Sequence, residues 1–189
     1  ALPLNNAEGI RWSTAIGYLN PARSRPNLTI QGDTHVCRVL FEGKRATGLQ
    51  IDRGGAVGEV HGGEILLCGG SIGSPHILLL SGVGPAADLE AMGVPVVCDL
   101  PGVGKNLREH PQVGVTLRAK EQYQTSGLEP RLHMGLRYTA TGSTLRNDML
   151  IIPASFATEE GYYVTAHSKP VGFYLVGCLY LAASAGELT

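Results

Sequence analysis

Glu64-Ile65-Leu66-Leu67-Cys68-Gly69-Gly70-Ser71-Ile72-Gly73-Ser74-Pro75-His76-Ile77-Leu78-Leu79-Leu80-Ser81-Gly82-Val83-Gly84 is the stretch around which the chain is organised. Residues 65–68 are apolar without a break, too few for a helix and without the alternation of a half-exposed strand. They read as a strand buried on both faces, as in a parallel sheet. Gly69 and Gly70 permit a tight turn with close backbone approach. Ser74 can cap a helix, and Pro75 suits its first position, where the missing N–H costs nothing. Residues 76–80 are apolar almost all round, which predicts a buried helix. Gly82 and Gly84 stop that helix and Pro85 starts the next. A buried strand, a glycine turn and a helix N-terminus together make a place where a cofactor can touch backbone.

Upstream, residues 28–30, 36–41, 46–51 and 57–61 are short β-prone runs broken by Gly32-Asp33, Glu42-Gly43 and residues 52–55. They predict a β-meander with no crossover helix feeding the central strand. Before it, a short helical pattern runs to Leu19 and ends at Asn20-Pro21. Downstream, residues 86–92 predict a short helix with Leu89 and Met92 on one face and Gly93 after its end. Residues 95–98 read as a strand. From Val113 onward the pattern is strand and turn (residues 113–118, 132–138, 149–152 and 171–181), which predicts an antiparallel sheet. The fold class expected is α/β or α+β.

The 189 residues carry a net charge of −1 and are 16% charged, so nothing favours nucleic acid as a partner. The 26 glycines argue for turns and close packing over long helices. Cys37, Cys68, Cys98 and Cys178 form no C-x-x-C pair and read as reduced thiols of a cytoplasmic protein, and no metal site is expected. Residues 171–186 are uncharged but shorter than the roughly 20 residues of a membrane helix, and their glycines, tyrosines and β-branched residues suit a sheet, so no membrane span is expected. Asn27-Leu28-Thr29 fits a glycosylation sequon, with no signal peptide before it. The start at Ala1, without Met, reads as lying inside a longer protein.

The central stretch closely resembles the second signature of the glucose–methanol–choline (GMC) family of FAD-dependent alcohol oxidoreductases. Gly70-Ser71, Ser74-Pro75, Ile77-Leu78 and Ser81-Gly82-Val83-Gly84 meet its constrained positions in order. Arg11, Ser13, Tyr18 and Leu19, followed by residues 25–28, are similar to a family segment. So is Asp99-Leu100-Pro101-Gly102-Val103-Gly104-Lys105-Asn106-Leu107-Arg108-Glu109-His110-Pro111, with Glu109 where Asp is usual. Residues 179–187 match a later family strand only loosely.

The resemblance implies a partial FAD-binding domain over residues 1–98 and a partial substrate-binding domain over residues 99–189. It implies that the backbone of Val36, in Val36-Cys37-Arg38-Val39-Leu40, meets the adenine of FAD, and that Gly69, Gly70 and Ser74 belong to the cofactor-binding turn. It implies oxidation of the CH–OH group of a small alcohol, choline-like or another primary alcohol. The family's glycine loop for the pyrophosphate and its catalytic histidine match nothing in this chain, so no catalytic residue is assigned. A fragment without them is expected to be inactive and to self-associate through exposed apolar surface.

Two other readings compete. Gly69-x-Ser71-x-Gly73 fits the nucleophile elbow of serine hydrolases, with Asp99 or Asp148 as acid and His133 or His167 as base. Against it stand the meander upstream, where a hydrolase has βαβ units, and Pro75, which puts the first helical turn four residues past Ser71. The other reading is a non-catalytic binding domain. His110, at the end of a family motif, reads more readily as a structural residue than as a catalytic one.

Overall fold

A computed structural model describes residues 5–123, 125–127, 129, 131–159 and 169–188. The chain divides into two compact units, one of Pro26–Arg108 with Ser184–Thr189, the other of Ala1–Arg25 with Glu109–Ala183.

In the first unit three of the four runs expected of the meander form it. Strands β1 (His35–Glu42), β2 (Arg45–Arg53) and β3 (Ala56–His61) make an antiparallel sheet in that order. The β2–β3 connection is the pair Gly54-Gly55, both at positive φ (62° and 92°), which is the backbone twist a two-residue hairpin needs. Asp52 fixes it by accepting the Gly55 N–H at 2.7 Å. Residues 28–30, expected as a further strand, form none and are exposed.

The central stretch departs from expectation twice. Residues 65–68 form no helix and no ladder among the described residues, with Ile65 and Leu67 half-buried and Leu66 77% exposed. A strand buried on both faces exists only through neighbouring strands, and none of the described segments pairs with this one. The following helix, α1, spans Gly70–Leu80, so it begins at Gly70 and carries Pro75 inside it. The reason lies in Ser74: its Oγ accepts the Gly69 N–H at 2.9 Å. The serine therefore caps backward onto the turn instead of opening a helix of its own. Nor is α1 buried: Ile72 is 62% and Leu80 44% exposed.

A small parallel pair follows, β4 (Val83–Gly84) and β5 (Cys98–Asp99), joined through α2 (Ala86–Ala91). Leu89 is buried, but Met92 is 81% exposed and does not share its face. Asp99 accepts the Ala86 N–H at 3.0 Å and so caps α2.

The second unit holds the antiparallel sheet. Strands β6 (Gln112–Arg118), β7 (Leu136–Tyr138), β8 (Met149–Ala157) and β9 (Gly172–Leu179) lie in the order β6-β9-β8-β7. Leu150, Val176 and Cys178 form its core, with Ile152, Tyr174 and Tyr180 packed against them. Burial raises the pKa of the Cys178 thiol and keeps it protonated. No helix among the described residues is long and apolar enough to cross a membrane.

Candidate functional site

The chemistry-bearing turn is the start of α1. Gly70 sits at φ +78°, which L side chains rarely adopt, and a Cβ there would meet open space. Gly69 differs: a Cβ would lie 3.0 Å from the Ser74 amide nitrogen and 3.1 Å from the Gly73 carbonyl carbon. One glycine is thus required by conformation and the other by contact. The turn presents bare backbone at a helix N-terminus, the arrangement that suits part of a dinucleotide. The residues present fit a group approaching Gly70 along its open side. They do not include the glycine loop that would match a pyrophosphate.

The other end of α1 explains the rest of the signature. Ser81 is buried; its hydroxyl donates to the Ile77 carbonyl at 2.5 Å and accepts the Val39 N–H of β1 at 2.8 Å. It therefore ties the helix end to the meander. Gly82, at φ +79°, would place a Cβ 2.2 Å from the Pro95 carbonyl oxygen, and Gly84 would place one 2.5 Å from Leu79. Sequence reasoning missed Ser81, although its place among the fixed signature positions was the available signal.

Ser74 lines a cavity of about 590 Å³ together with Ser71, Pro75 and Leu78 of α1, residues 102–108 and Leu188. Val36, Gly69 and Gly70 do not line it. Val36 is half-buried on β1, paired with Ile51 beside a register shift. The structure joins Gly69 to Ser74 directly, while Val36 stands on the strand that α1 reaches through Ser81. The loop over the cavity is held by the tail. Leu107 and Gly186 exchange hydrogen bonds of 3.0 and 2.8 Å, and the Leu188 N–H meets the Gly104 carbonyl at 2.7 Å. Lys105 and Glu187 pair at 2.5 Å, and that bond raises the pKa of the lysine.

Ser71 stands in the first turn of α1, so the objection that the helix starts too late for a hydrolase elbow does not hold. The cavity beside Ser71 is lined by no histidine and no carboxylate. Asp99 is engaged with Ala86, Asp148 and His133 belong to the other unit, and His167 lies outside the described residues. His110 stacks on Tyr180 with centroids 4.7 Å apart, and Arg137 lies over the same ring at 4.7 Å. That is a packing arrangement. Among the described residues no group of His, Cys, Asp and Glu could hold a metal ion.

Residues 2–112 match the family model described as GMC oxidoreductase. Choline dehydrogenase, mitochondrial, from Homo sapiens is 50% identical over 107 residues, covering 56% of this chain and 18% of that protein. An uncharacterized GMC-type oxidoreductase from Rhodococcus erythropolis is 47% identical over 112 residues, 59% of this chain and 23% of that protein. The chain thus spans about a fifth of the curated relatives it matches. Among solved structures, pyridoxine 4-oxidase from Mesorbium loti aligns with a TM-score of 0.69 at 24% identity, over 97% of this chain and 36% of that one. A formate oxidase variant from Aspergillus oryzae aligns with a TM-score of 0.74 at 18% identity, over 89% and 38%. These two likenesses show the fold.

The family match runs across the meander and the signature whose serine and glycines are fixed by packing, and it covers more than half of the chain. The chain belongs to the GMC oxidoreductase family, a family of FAD-dependent enzymes.

Proposed function

We propose that this chain is a central segment of an FAD-dependent enzyme that oxidises the CH–OH group of a small alcohol. The observation that carries the proposal is the 50% identity to human choline dehydrogenase over 107 residues. A choline-like primary alcohol is the substrate class it favours. FAD, when bound, supplies the acceptor for a hydride from the alcohol carbon. The residues of this chain orient and hold: Gly70 offers open backbone, Gly69 and Ser74 fix the turn, and Val36 offers backbone to the adenine. Residues 1–98 belong to the FAD domain and residues 99–189 to the substrate domain in this reading. The pyrophosphate loop and the base that takes the hydroxyl proton come from parts of the enzyme beyond this chain, which alone is inactive and self-associates. The free cysteines favour a reducing compartment, the cytoplasm in this reading.

The experiment is a chimera. The aligned segment of human choline dehydrogenase is replaced by the matching residues of this chain, and flavin content and choline-dependent dye reduction are measured. Retained flavin and turnover are expected. A folded chimera that holds no flavin would overturn the proposal.

A further inference from the structure

Val36 and Val39 of β1 turn backbone groups toward the same side of the sheet, although they lie three residues apart. The Val39 N–H leaves the sheet to bond the Ser81 hydroxyl at 2.8 Å. Val39 pairs with Leu49 of β2, so theirs is one of the non-bonded pairs that alternate with bonded ones in an antiparallel ladder. Strand β2 runs against β3 without a shift from Gly48↔His61 to Arg53↔Ala56, so its own alternation is unbroken. Ile51, two residues past Leu49, therefore turns its groups the same way as Leu49, toward β3. Val36 pairs with Ile51. Its N–H and C=O consequently face outward, as the Val39 N–H does. A regular strand would send residues 36 and 39 to opposite sides. The register shift between Val36 and Arg38 makes Cys37 the extra residue that brings them onto one.

That side is the outer edge of the three-stranded sheet, which β1 ends. Helix α1 meets the edge through Ser81, which is buried. The hydroxyl proton of Ser81 is spent on the Ile77 carbonyl at 2.5 Å, so its oxygen is held in one orientation toward β1. A strand added to this edge would need each outward N–H and C=O in turn. Ser81 already holds the Val39 N–H, so strand addition stops there. What remains beside it is one donor–acceptor pair, at Val36.

We infer that Ser81 is a positioning residue for the base of the flavin dinucleotide: it fixes the edge of β1 on which Val36 turns its N–H and C=O outward. The inference rests on the proposed function, which gives Val36 to the adenine. Adenine sets an acceptor beside an amino donor, and hypoxanthine reverses both. A site that reads the base with one N–H and one C=O rejects the reversed pattern, because its own groups are then left unpaired. Discrimination of this kind depends on the angle of the edge, so it suffers when the anchor at Val39 is lost.

The 189-residue chain tests the anchor with no flavin present. Exchange of the Val39 amide proton should be several-fold faster in Ser81→Ala than in wild type, and equal rates would overturn the inference. The base is tested in the chimera described above, stripped of flavin and titrated with FAD and with its hypoxanthine analogue. Wild type should prefer FAD. Ser81→Ala should lower the ratio of the two Kd values several-fold, and Ser81→Thr, which keeps a hydroxyl, should restore it. Leu89→Ala empties a buried position on α2; it should lower the melting temperature and leave the ratio unchanged. Should Ser81→Ala fail to fold, Ser81→Cys, whose sulfur is a weaker acceptor, carries the same comparison. A ratio that Ser81→Ala leaves unchanged, or that Leu89→Ala lowers equally, would overturn the inference and leave the proposed function standing. A folded chimera without flavin would overturn both.

Discussion

At Gly172 an added methyl group would lie 1.9 Å from the Leu117 carbonyl oxygen and 2.7 Å from the Ala119 amide nitrogen. Both obstacles are backbone of the paired strand and cannot rotate away. Gly172→Ala should cost about 1–3 kcal/mol through overpacking. Gly58, on β3, has nothing within 4 Å of its Cβ position and an ordinary φ, so Gly58→Ala should be near neutral. Urea midpoints of the two variants check this, and equal midpoints would contradict it. Glu129 supplies a second residue-scale outcome. Its carboxylate is held by its own backbone N–H, by the Ser126 N–H and hydroxyl, and by the Gly127 N–H, which lower its pKa from 4.5 to about 2. The sign follows from linkage: a depressed carboxylate stabilises the fold above its unfolded pKa, and that stabilisation is lost as pH falls toward about 2. Between those limits Glu129→Gln should flatten the pH dependence of the melting temperature. An unchanged slope would show that the turn contributes none of it.

Helix α1 is the element whose reading most needed the structure. Ser74-Pro75 carries a strong start signal, yet the helix opens at Gly69-Gly70 because Ser74 bonds backward to Gly69. Local sequence could not decide between those two uses of one hydroxyl. Ser81→Ala should cost about 1–3 kcal/mol, the penalty for a buried donor left unsatisfied at Val39. A melting temperature equal to wild type would contradict it. At the other end, Gly70→Val should lower stability through its left-handed φ, and in a flavin-bearing chimera it should lower flavin content as well. Three of the four expected meander strands were legible because alternation and glycine pairs are local signals, whereas residues 28–30 form no strand. Residues 65–68 were legible as apolar but not as unpaired, since pairing depends on strands elsewhere.

At the scale of the whole molecule, the family was legible because its signature positions are packing constraints that only Ser and Gly satisfy at 81, 82 and 84. The cavity under residues 102–108 was not, since its closure depends on bonds to a tail some eighty residues distant in sequence, such as Lys105 to Glu187. In the proposed function this chain supplies the scaffold of a flavin site and neither the pyrophosphate loop nor the base. A dinucleotide's two phosphate charges need oriented N–H groups from a glycine loop and helix N-terminus. Hydride transfer to the flavin is accompanied by loss of the hydroxyl proton, which needs a base atom within roughly 2.6–3.2 Å of the alcohol oxygen. The most direct measurement is to mix the purified 189-residue chain with excess FAD, pass it through gel filtration, and record flavin absorbance and choline-dependent dye reduction in the protein peak. The chain should elute as a colourless, inactive peak. A yellow peak with stoichiometric flavin that reduces the dye would contradict it and place the whole flavin site within these residues.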